Sequence, residues 1–251
     1  MAIAMFACCN GATEARRPDA EDIPATEAAL RETILRNMPT NSGQRCVGIS
    51  VVTEALLDGD RADSNSRDAV DDVARRIYRS LVTGDRLHYH PKLLIDSEAT
   101  SSESRAAIDK LSALVTDYYK QDFLRLSKTE QGRNRLLAAE DSFVATDKEL
   151  DRILEAEPDK IDAFLGSGTR AFPDDTLEET HHVFLVGKLA NGHTYVYDSN
   201  APGTAIACKL TNRHDGVEVE WTCQYRDTEK ETRQRYLVVH KDRFFQLILG
   251  E

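Results

Sequence analysis

The stretch THHVFLVGKLANGHTYVYD, residues 180–198, decides how the last third of the chain is built. Two strand-like apolar runs, 181–189 and 193–198, flank Asn191-Gly192. Asn-Gly between such runs is a strong hairpin signal, because both residues tolerate the positive φ of a tight primed turn. A hairpin brings the far ends of its strands together. Those ends carry His181-His182 on one side and Asp198 on the other. A carboxylate beside an imidazole can accept from one ring nitrogen, fix the tautomer and stabilise the imidazolium. A strict two-residue loop puts His181 on the face of Asp198, whereas a three-residue loop or a bulge puts His182 there. Both registers stay open on these grounds.

Further strands are expected at 205–211, 217–226 and 235–240, with Phe244 to Leu249 as a last strand or a short helix. Upstream of Gly166-Ser167-Gly168 the periodicity is helical. Pro24 to Met38 places Leu30, Ile34, Leu35 and Met38 on one face. After the turn cluster Pro39-Thr40-Asn41-Ser42-Gly43, a helix is expected from Cys46 to Leu57. It is apolar nearly all round, which predicts a buried central helix. More helices are expected at 68–82, 102–126, 129–143, 147–155 and 158–165. Helices first and antiparallel strands last argue for an α+β chain, not alternating βαβ units.

Composition narrows the function. Of 251 residues, 41% are hydrophobic, enough for a proper core. The net charge of -11 supplies no basic field to displace counterions from nucleic acid, and it disfavours an anionic membrane surface. No apolar stretch approaches a membrane span, so no transmembrane segment is expected. Five cysteines (Cys8, Cys9, Cys46, Cys208, Cys223) are odd in number and hold no CxxC pair, which speaks against a disulfide scaffold and a cysteine zinc site. The reading is a reducing compartment with at least one free thiol. Asp58, Asp60 and Asp63 lack the spacing, glycine and terminal glutamate of a calcium loop. A histidine metal site would need His182 and Asp198 plus a third group such as His193, and nothing in the spacing demands it. No metal or organic cofactor is therefore expected.

Cys46 completes a candidate constellation. The attacking species of a thiol enzyme is the thiolate, and a helix N-terminus lowers a thiol pKa through its unpaired N–H groups and partial positive charge. A histidine held by Asp198 can draw the proton from Cys46. The Cys46 N–H is one oxyanion donor by position, and a side-chain amide from Asn41 or Gln44 is available as the second. The plainer readings are a buried structural cysteine, an ordinary hairpin, and Asn41 and Gln44 as turn or capping residues.

At these residues the chain resembles the YopT/AvrPphB group of bacterial effector cysteine proteases, which have a papain-like fold. The likeness lies in Gly43-Gln44-Arg45-Cys46-Val47-Gly48-Ile49-Ser50, in the hydrophobic run from His182, and in Asp198-Ser199-Asn200 where the group tends to have Asp-Pro-Asn. It covers about 30 residues in three islands. The group's His-to-Asp interval favours His182 over His181, and its asparagine five residues before the cysteine falls on Asn41. The resemblance implies a Cys46–His182–Asp198 triad in a papain-like α+β fold. An N-terminal helical lobe with a buried catalytic helix (about 23–166) would pack on a C-terminal antiparallel sheet (about 167–251). Residues 1–22 would be a flexible N-terminal segment and secretion signal. The implied activity is hydrolysis of a peptide or amide bond in a host protein, by a protein delivered through a bacterial secretion system into host cytosol. Glutamine deamidation or transglutamination would use the same triad, and a non-enzymatic helical partner-binding protein would need no reactive Cys46.

Overall fold

The computed structural model describes residues 37–41, 45–57, 70–83, 101–141, 161–172, 176–188, 193–201, 205–213, 216–224, 231–240 and 244–246. Among these residues four longer helices come first: α1 (Cys46–Leu57), α2 (Val70–Thr83), α3 (Ser101–Ser127) and α4 (Glu130–Asp141). Six strands follow: β1 (Ile161–Ala171), β2 (Leu177–Lys188), β3 (Thr194–Tyr197), β4 (Ala205–Arg213), β5 (Gly216–Gln224) and β6 (Glu231–His240). The expected helices at 24–38 (apart from its last residues) and 147–155, and the aspartates Asp58, Asp60 and Asp63, lie outside the described residues.

The strands close into a barrel in sequence order, every pairing antiparallel, with β6 returning to β1. This overturns the expected papain-like α+β arrangement of a helical lobe packed on a sheet. The strand that makes closure possible is β1, which covers most of the stretch expected as a helix at 158–165. Its sequence, IDAFLGSGTRA, mixes good helix formers with two glycines that read as punctuation. Both glycines instead serve close packing inside the strand. A Cβ on Gly166 would come within 2.7 Å of Tyr236 Cβ, and one on Gly168 within 1.9 Å of the Arg235 carbonyl oxygen. Bare backbone is what lets β6 lie against β1.

Alternation along each strand separates two cores. Phe164, Phe184, Val186, Val196, Val219, Trp221, Tyr236 and Val238 fill the barrel, with Trp221 stacked on Tyr236 at 5.2 Å between ring centroids. The alternate residues Leu165 and Val183 face outward and join the helical core with Cys46, Val52, Ile77, Leu111 and Phe245. Leu185, Tyr195 and Tyr197 form a smaller cluster with Met38 and Ile49.

α1 is rich in Val and Ile, poor helix formers, yet it is helical because burial on nearly every side holds it. Val47, Ile49, Val51, Val52 and Leu56 are all buried. The helix lies between α3 and the barrel wall. On one side Gly48 lies so close to α3 that a Cβ there would come within 2.0 Å of the Ser112 carbonyl oxygen. On the other, Ser50 Oγ donates to the Val183 carbonyl of β2 at 2.9 Å. α2 is plainly amphipathic, burying Val73, Ala74, Ile77 and Leu81, with Asp71 and Asp72 at its positive end. The 27-residue α3 contributes Ile108, Leu111, Val115 and Tyr119 at three- and four-residue spacing. Phe244 to Gln246 form a short helical turn rather than a last strand.

Candidate functional site

β3 sets the position of the site. It has four residues against twelve in β2 and nine in β4. Its pairing with β2 ends at Leu185↔Tyr197. Beyond that point the wall beside β2 is continued by the turn after β3 and by the segment leading into α1. The turn is closed by the Ala201 N–H donating to the Asp198 carbonyl at 2.8 Å. Asn41 docks on it, its N–H donating to the Ser199 carbonyl at 2.9 Å. At this end of β3, Asn41, His182, Asp198 and Asn200 come together.

The register resolves the choice between the two histidines. Lys188 pairs with Thr194, leaving five residues between them instead of two. Odd spacing puts residues of equal parity on one face, so His182, not His181, shares the interior face with Asp198. His182 Nε2 lies 2.6 Å from Asp198 Oδ1, and both residues are at most 2% exposed. His181, of opposite parity, is half-buried on the outward face.

Asp198 is held on more than one side. The Asn200 N–H donates to Oδ1 at 2.8 Å, an Asx turn that locks the carboxylate in place. Burial alone would raise its pKa. The charge and hydrogen bond of His182, the Asn200 N–H and the charge of Arg170 outweigh that and hold the carboxyl below its ordinary value. An ionised carboxylate only accepts, so Nε2 carries the hydrogen between them. In the neutral imidazole the lone pair is then on Nδ1, which is buried and has no hydrogen-bond partner among the described residues. The ring is wedged by Phe184 and Tyr236, with centroids 5.9 and 6.0 Å away.

Cys46 is the first residue of α1 and has no exposed surface. It shares a buried cluster with Val183, the residue after His182. It is disulfide-bonded, and its partner lies outside the described residues. The sulfur is therefore not a free thiol here, against the expectation for this residue. Cys208 and Cys223 are free, and burial pushes both thiols up to about 12, which makes them inert at neutral pH.

Comparison with protein-family models, curated protein sequences and solved structures finds no match to this chain. Asn41, 2% exposed, is the tie between the two halves of the site. Its Oδ1 accepts the Arg45 N–H at 2.9 Å, capping the entry to α1, and its Nδ2 donates to Asn200 Oδ1 at 3.0 Å. Asn200 Nδ2 in turn lies 3.2 Å from His182 Nε2. One chain of contacts thus runs from the N-terminal end of the Cys46 helix to the His182–Asp198 pair. Gln44 lies outside the described residues.

Two contributors escaped the sequence reading. Asn200 was visible only as part of Asp198-Ser199-Asn200, although an Asp at a strand end readily accepts from the backbone N–H two residues on, as an Asx turn. Arg170 gave no signal. It is 3% exposed, its Nε donating to Gln234 Oε1 at 3.4 Å, and its charge supports the ionised Asp198. Among the described residues no group of three or more His, Cys, Asp or Glu is arranged to hold a metal, and no helix is long and apolar enough to cross a membrane.

Proposed function

We propose that the chain is a thiol hydrolase that cleaves a peptide or amide bond in a protein substrate. The observation that carries this is the buried His182–Asp198 pair, 2.6 Å apart, with the other ring nitrogen unpartnered among the described residues, on the strand against which α1 packs. In this reading Nδ1 of His182 takes the proton from Cys46. The thiolate attacks the carbonyl carbon and forms a tetrahedral oxyanion. His182 then donates to the leaving amine, and a thioester remains. Water, deprotonated by His182, hydrolyses it and restores the thiol. Asp198 orients the ring and stabilises the imidazolium. The first-turn amides of α1, which lack intrahelical acceptors, and the Asn41 amide serve the oxyanion.

The reaction needs Cys46 reduced. The likeness of the Cys46, His182 and Asp198 segments to bacterial effector cysteine proteases supports a substrate among host proteins and a host cytosol as the place of action. Such a compartment keeps thiols reduced.

The disulfide favours a second reading, in which Cys46 is a structural half-cystine and the His–Asp pair a buried polar strut. One experiment decides. After reduction and removal of the reductant, the rate of Cys46 alkylation by iodoacetamide is followed across pH by mass spectrometry, in wild type and His182→Ala. The hydrolase reading expects fast labelling below about pH 7 that the substitution abolishes. Slow labelling with a midpoint near the free-thiol value of about 8.5, unchanged by the substitution, rejects it.

A further inference from the structure

The sequence holds five cysteines. Cys46 is disulfide-bonded, and Cys208 and Cys223 are free. Within one chain this leaves only the sulfurs of Cys8 and Cys9 for the bond to Cys46. The candidate nucleophile is therefore joined to the first ten residues of the sequence.

The start of α1 is held by contacts that do not involve this bond. Asn41 Oδ1 accepts the Arg45 N–H, and Arg45 Nη1 lies 2.9 Å from Asp109 Oδ1 of α3. Gly48 seats the helix against α3, and Ser50 Oγ donates to the Val183 carbonyl of β2. What the bond changes is the chemistry of the sulfur. A half-cystine has no proton for His182 to take and forms no thiolate. Its sulfur also has no exposed surface, since Cys46 is wholly buried.

We propose that this disulfide is a redox lock on the candidate nucleophile, closed by Cys8 or Cys9 and opened by a small cytosolic thiol of the glutathione class. The proposal rests on the thiol-hydrolase reading and adds the regulation of its site. A glutathione thiolate attacks the sulfur of the N-terminal cysteine. The S–S bond breaks, and Cys46 leaves with the electron pair as a thiolate. A second glutathione thiolate attacks the glutathione sulfur of the mixed disulfide and releases the N-terminal cysteine. Two electrons and two protons pass from two glutathiones to the protein, and glutathione disulfide is the product. The N-terminal end of α1 makes Cys46 the better leaving group, because it stabilises a thiolate. Burial pushes the Cys208 and Cys223 thiols up to about 12, so neither exchanges with the bond at neutral pH. The lock stays closed in an oxidising exterior and opens on entry into a reducing cytosol.

The test starts from the full-length chain equilibrated with glutathione disulfide. Non-reducing peptide mapping by mass spectrometry should join the Cys46 peptide to the peptide bearing Cys8 and Cys9. Iodoacetamide should not label Cys46 in this form. After equilibration with reduced glutathione in large excess over its disulfide, and removal of both, Cys46 should label fast below about pH 7. The Cys8→Ser/Cys9→Ser variant should label as fast with no glutathione step. The reduced wild type gives the same reading where that variant does not fold. A Cys46 peptide joined elsewhere or to nothing, or a bond that survives the glutathione step, would overturn the lock. Fast labelling after dithiothreitol would then leave the thiol reading standing. Slow labelling of the reduced wild type, with a midpoint near the free-thiol value of about 8.5, would overturn both.

Discussion

Gly48→Ala is a single-methyl change whose sign depends on how closely α1 and α3 cross. In an unconstrained helix interior, Ala for Gly stabilises by about 1 kcal/mol through the unfolded chain and helix propensity. Here the new Cβ would sit 2.0 Å from the Ser112 carbonyl oxygen and 2.3 Å from Thr116 Oγ1. The threonine can turn away, although it would give up its 2.8 Å bond to that same Ser112 carbonyl. The carbonyl cannot turn, because it belongs to the backbone of α3. The helices must therefore part by roughly an ångström. Overpacking of this kind typically costs about 1–3 kcal/mol, and a backbone obstacle puts the cost at the upper end. Subtracting the propensity gain leaves a net loss of roughly 2 kcal/mol. Urea unfolding of the reduced protein, with equal m-values required of both proteins, measures it. Displacement of α1 also moves Cys46 relative to β2, so on the thiol-hydrolase reading its alkylation rate should fall in the same variant. A Gly48→Ala protein as stable as wild type, or more stable, would show that α1 and α3 do not cross at this glycine.

Two further outcomes follow from the site. Asn41→Ala removes the acceptor for the Arg45 N–H and the tether to Asn200. A loss of about 1–2 kcal/mol in urea unfolding is expected, as for a lost cap and a buried hydrogen bond, and an unchanged midpoint would deny Asn41 its linking role. Asp198 has its folded pKa held below the unfolded value. Its contribution is therefore fully present above the unfolded value of about 3.9 and is lost as pH falls through the folded pKa. The stability of wild type should drop more steeply below about pH 4 than that of Asp198→Asn, and parallel acid limbs would contradict the depressed carboxyl.

The hairpin and the buried helix were legible because their signals are local. Asn191-Gly192 between apolar runs announces the β2–β3 connection, and the apolar run from Cys46 announces a helix enclosed on most sides. The amphipathic α2 and the long α3 lie within a residue or two of their expected bounds. The register of the hairpin was not legible, since one residue of loop length exchanges His181 for His182. Closure of the barrel was illegible for a different reason. The β1–β6 pairing joins Ala171 to Arg233 and Phe164 to His240, and no local pattern encodes a partner so far along the chain. Gly166 and Gly168 look like breakers until Tyr236 and Arg235 are seen against them. Likewise Asn41 reads as a turn residue until Asn200, 159 positions away, is found at its amide.

The same distances govern when the site comes into being. β1 needs both β2 and β6 as neighbours, and β6 is the last of the described strands. A chain emerging from the ribosome presents its helices long before it can close the barrel that buries His182. Long-range strand pairing of this kind is slow, because loop-closure entropy is lost before contacts reward it. On the proposed hydrolase reading, the nucleophile is then made early and its base is seated late. Until residues 231–240 fold back onto β1, the nascent chain holds Cys46 without the framework on which that reading depends.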